Sequence, residues 1–219
     1  MTPALEIKDL RKVYGTGTEA LKGVSLTVPT GDFYALLGPN GAGKTTIIGI
    51  ATGLVNKTSG SVKVFGHDID QEPELAKLHV GLVGQEINFN PFEKPLDVVV
   101  NQGGYYGVPR SVAIPRAKKL LQDLGLGDKM NQNGLTLSGG MKRRLMIARA
   151  LIHEPKFLIL DEPTNHLDLK TVLALENFLK DYEGTLVLVS HDRELVRNVV
   201  DRTYELKNGT ISKGLSSES

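Results

Sequence analysis

Apolar positions along the chain follow two rhythms. Leu5-Glu6-Ile7 and Val24-Ser25-Leu26-Thr27-Val28 alternate apolar with polar, as half-buried strands do. Phe33-Tyr34-Ala35-Leu36-Leu37 is a continuous apolar run, expected of a strand buried in a parallel sheet. Phe157-Leu158-Ile159-Leu160 and Thr185-Leu186-Val187-Leu188-Val189 also read as strands. Ser61 to Gly66 predicts a strand and turn, and His79 to Gly84 a strand ending at Gln85. Helical spacing is expected from about Gly43 to Leu54, and from Leu169 to Tyr182, where Val172, Leu175 and Leu179 share a face. From about Glu86 to His153 the pattern is mainly helical, with Gly and Pro as punctuation. There is no internal repeat. Strand-helix-strand with an inserted helical piece predicts an α/β core built on a parallel sheet.

Composition narrows the function classes. A length of 219 residues suits one compact domain, or one with an inserted subdomain. With 40% hydrophobic and 23% charged residues the chain reads as globular. A formal net charge of +1 gives no excess for binding polyanions, so no direct nucleic acid partner is expected. The absence of cysteine excludes disulfides and thiolate metal sites and fits a reducing cytosol. No apolar stretch approaches the roughly 20 residues of a membrane-spanning helix, and Met1 to Glu6 lacks a signal-peptide apolar region. Any membrane role is expected to come through a separate partner.

Two segments carry candidate chemistry. Gly38-Pro39-Asn40-Gly41-Ala42-Gly43-Lys44-Thr45-Thr46 fits G-x-x-x-x-G-K-[ST] between an apolar strand and a helix. Its glycines let backbone N–H groups turn inward as an anion cradle. Lys44 is placed for the β- and γ-phosphates of ATP and Thr45 for Mg²⁺. The strand Phe157 to Leu160 ends in Asp161 and Glu162. One acid suits the metal shell and the next suits the attacking water, and the alternative for the pair is a solvated acidic turn before Pro163.

Leu137-Ser138-Gly139-Gly140-Met141-Lys142-Arg143-Arg144, ahead of a helix to about Ile152, resembles the LSGGQ signature of ABC-type ATPases. The family's other motifs then appear in order, from about Leu5 to Ile211. The resemblance implies a P-loop NTPase core with a parallel sheet, an antiparallel β subdomain and an inserted helical subdomain. Residues 1–85 and 154–213 form the expected core, 86–153 the helical signature subdomain, and 214–219 a polar tail. It implies that Tyr14 stacks on adenine and that Gln85 links the nucleotide and its metal to the helical subdomain. Asn165-His166-Leu167-Asp168 matches the D-loop. His191 matches the switch histidine at the γ-phosphate, beside Glu162 as catalytic carboxylate and Asp161 at the metal. Ser138, Gly139 and Gly140 form a second small-residue cradle at a helix N-terminus, which in the family covers the ATP held by a second copy. The implied unit is a head-to-tail homodimer around two ATP-Mg²⁺. From the residues alone, Tyr14 also reads as a half-exposed strand aromatic, Gln85 as a strand-end polar residue and Ser138-Gly139-Gly140 as a capping turn. Lys142-Arg143-Arg144 reads as a solvated helix face.

The resemblance is not uniform. Up to about Pro163 the chain is similar to ATP-binding subunits of bacterial export-type transporters, notably through Phe33 to Gly38, Asn88-Phe89-Asn90-Pro91-Phe92 and Leu137 to Leu151. After it, Thr164 to Asp168 and Val189-Ser190-His191-Asp192-Arg193 resemble ABC-F proteins, which act on the ribosome. Met141 stands for the signature's usual Gln, and Gly84 where Pro commonly precedes Gln85; neither removes a phosphate ligand. The first reading is a transporter motor, cytoplasmic and peripheral on the inner face of the plasma membrane, driving a membrane permease for export. Phe89, Phe92, Tyr105 and Tyr106 would then flank the groove for the permease, or else fill the helical subdomain. The alternatives are a ribosome-associated ABC-F-like ATPase and an ATP-binding module, natural or chimeric, without a transport partner.

Overall fold

The alternation at the start of the chain becomes strands β1 (Leu5–Val13) and β2 (Glu19–Val28), paired antiparallel. The pairing register shifts between Ile7 and Leu10, where Asp9 takes a φ of 45°, marking a bulge. That extra residue returns Leu10 to the buried face, which strict alternation would deny it. The run from Phe33 forms β3 (Phe33–Leu37), followed by helix α1 (Lys44–Ala51). This helix is shorter than its apolar pattern predicts because the Thr52 hydroxyl bonds back to the Ile48 carbonyl and Gly53 turns with a φ of 73°. Next come β4 (Ser59–Val64), β5 (His67–Asp68), helix α2 (Pro73–Leu78) and β6 (Val80–Val83). A four-stranded sheet takes the order β2-β1-β4-β5.

The computed structural model describes residues 2–165 and 167–213; the expected polar tail 214–219 and His166 of the D-loop match lie outside them. The chain divides into two compact units. The first contains residues 1–82, 156–162 and 183–219. Its later elements are β7 (Phe157–Asp161), β8 (Thr185–Val189), helix α7 (Arg193–Val199), β9 (Arg202–Lys207) and β10 (Thr210–Lys213). The six-stranded sheet runs β10-β9-β3-β8-β7-β6, with β9, β3, β8 and β7 parallel neighbours. Every residue of β7 and β8 is buried, which explains their continuous apolar sequence. Leu5, Val28, Tyr34, Ile48, Phe157 and Val187 belong to one core that joins both sheets to α1.

The second unit contains residues 83–155 and 163–182. It holds helices α3 (Pro95–Tyr105), α4 (Arg110–Asp123), α5 (Gly139–Leu151) and α6 (Leu169–Lys180). Val99, Ala113, Ala117, Leu121, Leu145 and Ile152 are buried in it. A Cβ on Gly103 would stand 3.1 Å from Ile152 and 3.4 Å from Ala113, so the glycine permits close packing. The aromatic segment splits: Phe92 and Tyr105 are 71% and 86% exposed, whereas the Tyr106 ring stacks on His153 at 3.7 Å. One expectation fails outright. Lys142-Arg143-Arg144 is not a solvated face, because Arg143 is only 3% exposed. Arg143, Ile147 and Ala150 lie on one side of α5, and that side faces inward. Among the described residues no helix is long and apolar enough to cross a membrane.

Candidate functional site

The glycine loop leaves β3 at the carboxyl end of the parallel sheet, where such sheets place ligands. Gly38 and Gly43 have φ values of 146° and 109°. A Cβ on Gly38 would fall 2.1 Å from the Leu206 carbonyl oxygen, and one on Gly43 2.8 Å from Leu21 and 2.9 Å from the Ala20 oxygen. Only glycine fits either position, so the loop can pass close to the sheet and leave its concave side open. Asn40, Gly41, Ala42 and Thr46 complete the turn into α1, with Ala42 N–H bonded to the Pro39 carbonyl at 3.2 Å. No side chain caps α1, in contrast to α5, α6 and α7. Its first N–H groups are therefore left for an anion. Lys44 is 8% exposed, and its Nζ donates to the carbonyls of Gly38 at 2.6 Å and Pro39 at 3.1 Å. The loop's own oxygens hold the ammonium in the cradle.

Thr45 follows, and its hydroxyl donates to Asp161 Oδ2 at 3.5 Å. Asp161 ends β7 and is buried. Parallel pairing sets Asp161 opposite Val189, so the chains leaving β7 and β8 emerge side by side. Glu162 then turns with a φ of 48°, its N–H bonded to the Val189 carbonyl at 2.7 Å. Its carboxylate meets His191 twice: Oε2 accepts from the His191 backbone N–H at 3.2 Å, and Oε1 lies 3.2 Å from Nε2. The same Nε2 is 3.3 Å from Asn40 Oδ1, which ties the histidine to the glycine loop. Lys44, Thr45, Asp161, Glu162 and His191 thus sit in one unit around one sheet edge. Tyr14 follows β1 in that unit, partly exposed. Its hydroxyl is 3.2 Å from the Thr46 hydroxyl, and Lys12 Nζ stands 4.8 Å from its ring centroid.

The other expected residues belong to the second unit. Ser138 caps α5 by accepting from Met141 N–H at 3.3 Å. That bond uses an oxygen lone pair and leaves the O–H proton free to donate. A Cβ on Gly140 would stand 3.3 Å from the Thr171 hydroxyl, so the glycine lets α5 start close to α6. Gln85 has an exposed side chain, while its backbone carbonyl accepts from Arg143 at 3.3 Å. Two features escaped the reading by motif: the Asn40–His191 contact and the burial of Arg143. The spacing of Arg143 four residues before Ile147 was a signal for the second, masked by the charges on either side.

The donor set fits ATP and a hard cation. The cradle carries a buried ammonium beside uncapped N–H groups, and Thr45 with Asp161 offers two oxygens within 3.5 Å. Mg²⁺ typically uses one or two protein oxygens and completes its shell with water and substrate phosphates, so no larger protein cage is needed.

Residues 21–165 match the model of the ABC transporter family. The chain is 34% identical to the methionine import ATP-binding protein MetN of Brucella abortus (strain 2308), over 96% of its own length and 59% of the relative's. It is 37% identical to the linearmycin resistance ATP-binding protein LnrL of Bacillus subtilis (strain 168), over 94% of this chain and 67% of that one. The chain therefore spans about three fifths of the methionine import relative. A solved structure of an ATP-binding subunit of an ABC transporter superposes with a TM-score of 0.88 at 27% identity, covering 96% of this chain and 89% of the other.

Proposed function

The chain belongs to the ABC transporter family, and on that basis we propose that it binds and hydrolyses ATP to drive a separate membrane permease. The observation that carries this reading is the convergence of Lys44, Thr45, Asp161, Glu162 and His191 at one sheet edge. The loop N–H groups and Lys44 hold the β- and γ-phosphates, the ammonium exchanging carbonyl partners for phosphate oxygens. Tyr14 supplies a ring face for adenine. Thr45 and Asp161 hold Mg²⁺, which when bound neutralises charge on the phosphates. Gln85, with its exposed side chain, is a further proposed nucleotide-site residue. Glu162 accepts the proton of a water whose oxygen bonds to the γ-phosphorus as the bond to the β–γ bridging oxygen breaks, giving ADP and phosphate. His191 positions Glu162 and faces the γ-phosphate.

The active unit is a head-to-tail homodimer, in which Ser138, Gly139 and Gly140 of one copy cover the ATP bound by the other. The free O–H of Ser138 and the start of α5 suit that anionic group. The exposed Phe92 and Tyr105 support a permease surface, which would seat the chain on the cytoplasmic face of the membrane. Export is the direction favoured by the segments from Phe33 to Gly38 and Asn88 to Phe92. The likeness of Thr164 to Asp168 and of Val189 to Arg193 to ABC-F proteins motivates a second reading, ribosome association, which ATP-dependent co-sedimentation with ribosomes tests.

The decisive experiment is Glu162→Gln. Turnover is expected to fall by about 10²- to 10⁴-fold, the range for losing a general base, while ATP binding persists. With ATP the variant elutes as a dimer and without it as a monomer. Unchanged hydrolysis removes Glu162 from its role, and a monomer under saturating ATP removes the shared site.

A further inference from the structure

Arg143 lies five residues after Ser138 and is almost fully buried, although Lys142 and Arg144 on either side are partly exposed. Its Nη1 donates to the carbonyls of Gly84 at 2.5 Å and Gln85 at 3.3 Å. Its Nε donates to the Pro163 carbonyl at 3.1 Å. One guanidinium therefore joins two segments that are far apart in the chain. The first leaves β6 and carries Gln85; the second leaves β7 and begins at the residue after Glu162. A second arginine of α5 grips the first segment again. Arg149 Nη1 donates to the Asn88 carbonyl at 2.8 Å, and Nη2 to Asn88 Oδ1 at 2.7 Å.

The chemistry of this grip is specific. Bonds from a cationic donor are stronger than neutral ones, and the guanidinium nitrogens are fixed in one plane. The segments cannot shift relative to one another without losing a charge-assisted bond. At Gln85 the grip is on the backbone only, which leaves the amide side chain exposed and free for a ligand.

We propose that Arg143 is a positioning residue for ATP hydrolysis. It fixes the backbone at Gln85 and at Pro163, the residue after Glu162, to the helix headed by Ser138. It acts through those three positions. The proposal rests on the reading of Gln85, Glu162 and Ser138 as parts of the ATP site.

The test uses the full chain with Arg143→Lys, which keeps the charge but not the planar fork, and Arg143→Ala. For Arg143→Lys, kcat should fall about 10- to 100-fold, the cost of misplaced catalytic groups, with KM for ATP within about threefold. The melting temperature should fall by no more than a few degrees, the cost of lost charge-assisted bonds, and backbone amides of residues 84–88 should exchange faster with deuterium. Turnover by Arg143→Ala should recover partly on adding guanidinium ion and not on adding methylammonium at equal concentration. Wild-type turnover and exchange in Arg143→Lys overturn the proposal. So does a parallel fall of kcat, ATP affinity and melting temperature without guanidinium rescue, which marks a role in folding alone. Where Arg143→Ala does not fold, the lysine variant decides. Glu162→Gln assayed alongside separates the two failures: if it leaves hydrolysis unchanged, the reading of the site falls, while exchange at 84–88 still reports on Arg143.

Discussion

Glu162 holds a left-handed backbone that side chains other than glycine rarely adopt, and its neighbours keep it there. The bond to the Val189 carbonyl and the contact with His191 maintain the strain at the proposed catalytic carboxylate. Lys44 shows the complementary case of a charge kept in place by neutral oxygens. Lys44→Ala removes a charge-assisted contact worth about 1.5–3 kcal/mol, so ATP affinity should drop by roughly 10- to 100-fold. Titration calorimetry with ATP measures it, and unchanged affinity contradicts the cradle. His79 has a different role. Burial, then nearby His67 and then Lys156 lower its pKa below the ordinary 6.5. Its ring also stacks on His67 and touches Phe65. The unfolded chain takes the proton first, so this contribution to stability is full above pH 6.5 and is lost as pH falls through the lower folded value. The melting temperature should decline as pH falls below 6.5, and His79→Gln should flatten part of that decline. An identical slope in both proteins rules out the assignment.

At the scale of elements, three α-helices among the described residues carry side-chain caps, whereas α1, α2, α3 and α4 have none. Ser138, Asp168 and Asp192 cap their helices with side chains, while α1 begins at Gly43 with none. Ser138→Ala should cost about 1 kcal/mol of stability through the lost cap, lowering the melting temperature by about 2–4 °C. Gly43→Ala forces a Cβ against Leu21 and the Ala20 carbonyl at a strained φ. It should cost about 1–3 kcal/mol and weaken ATP binding, both readable in a thermal shift with and without nucleotide. The strands of the parallel sheet were legible because burial on both faces demands unbroken apolar runs. β9 was less so: its buried Tyr204 and Leu206 alternate with polar residues, and its partner β3 lies far back in the chain. The bulge at Asp9 was not legible, since it depends on pairing with two other strands.

Across the whole molecule, the motif residues divide between two units. The second unit leaves Phe92 and Tyr105 in solvent. Phe92→Ser with Tyr105→Ser should change stability by no more than about 0.5 kcal/mol per site, as surface substitutions do. The same pair should weaken co-purification with the permease; retained capture assigns that surface elsewhere. The sequence by itself determined the cradle, the acids at the end of β7 and the helical or strand character of the long segments. These depend on local backbone freedom, side-chain chemistry and periodic burial, all written within a few residues. Tertiary structure alone decided that His191 meets both Glu162 and Asn40, and that Arg143 is a buried clamp rather than a solvated charge. Asn40 is 151 positions from His191, and Gly84 and Pro163 are 59 and 20 from Arg143. Burial and hydrogen-bond partners at such separations are set by how strands pair and helices pack, which no local pattern encodes.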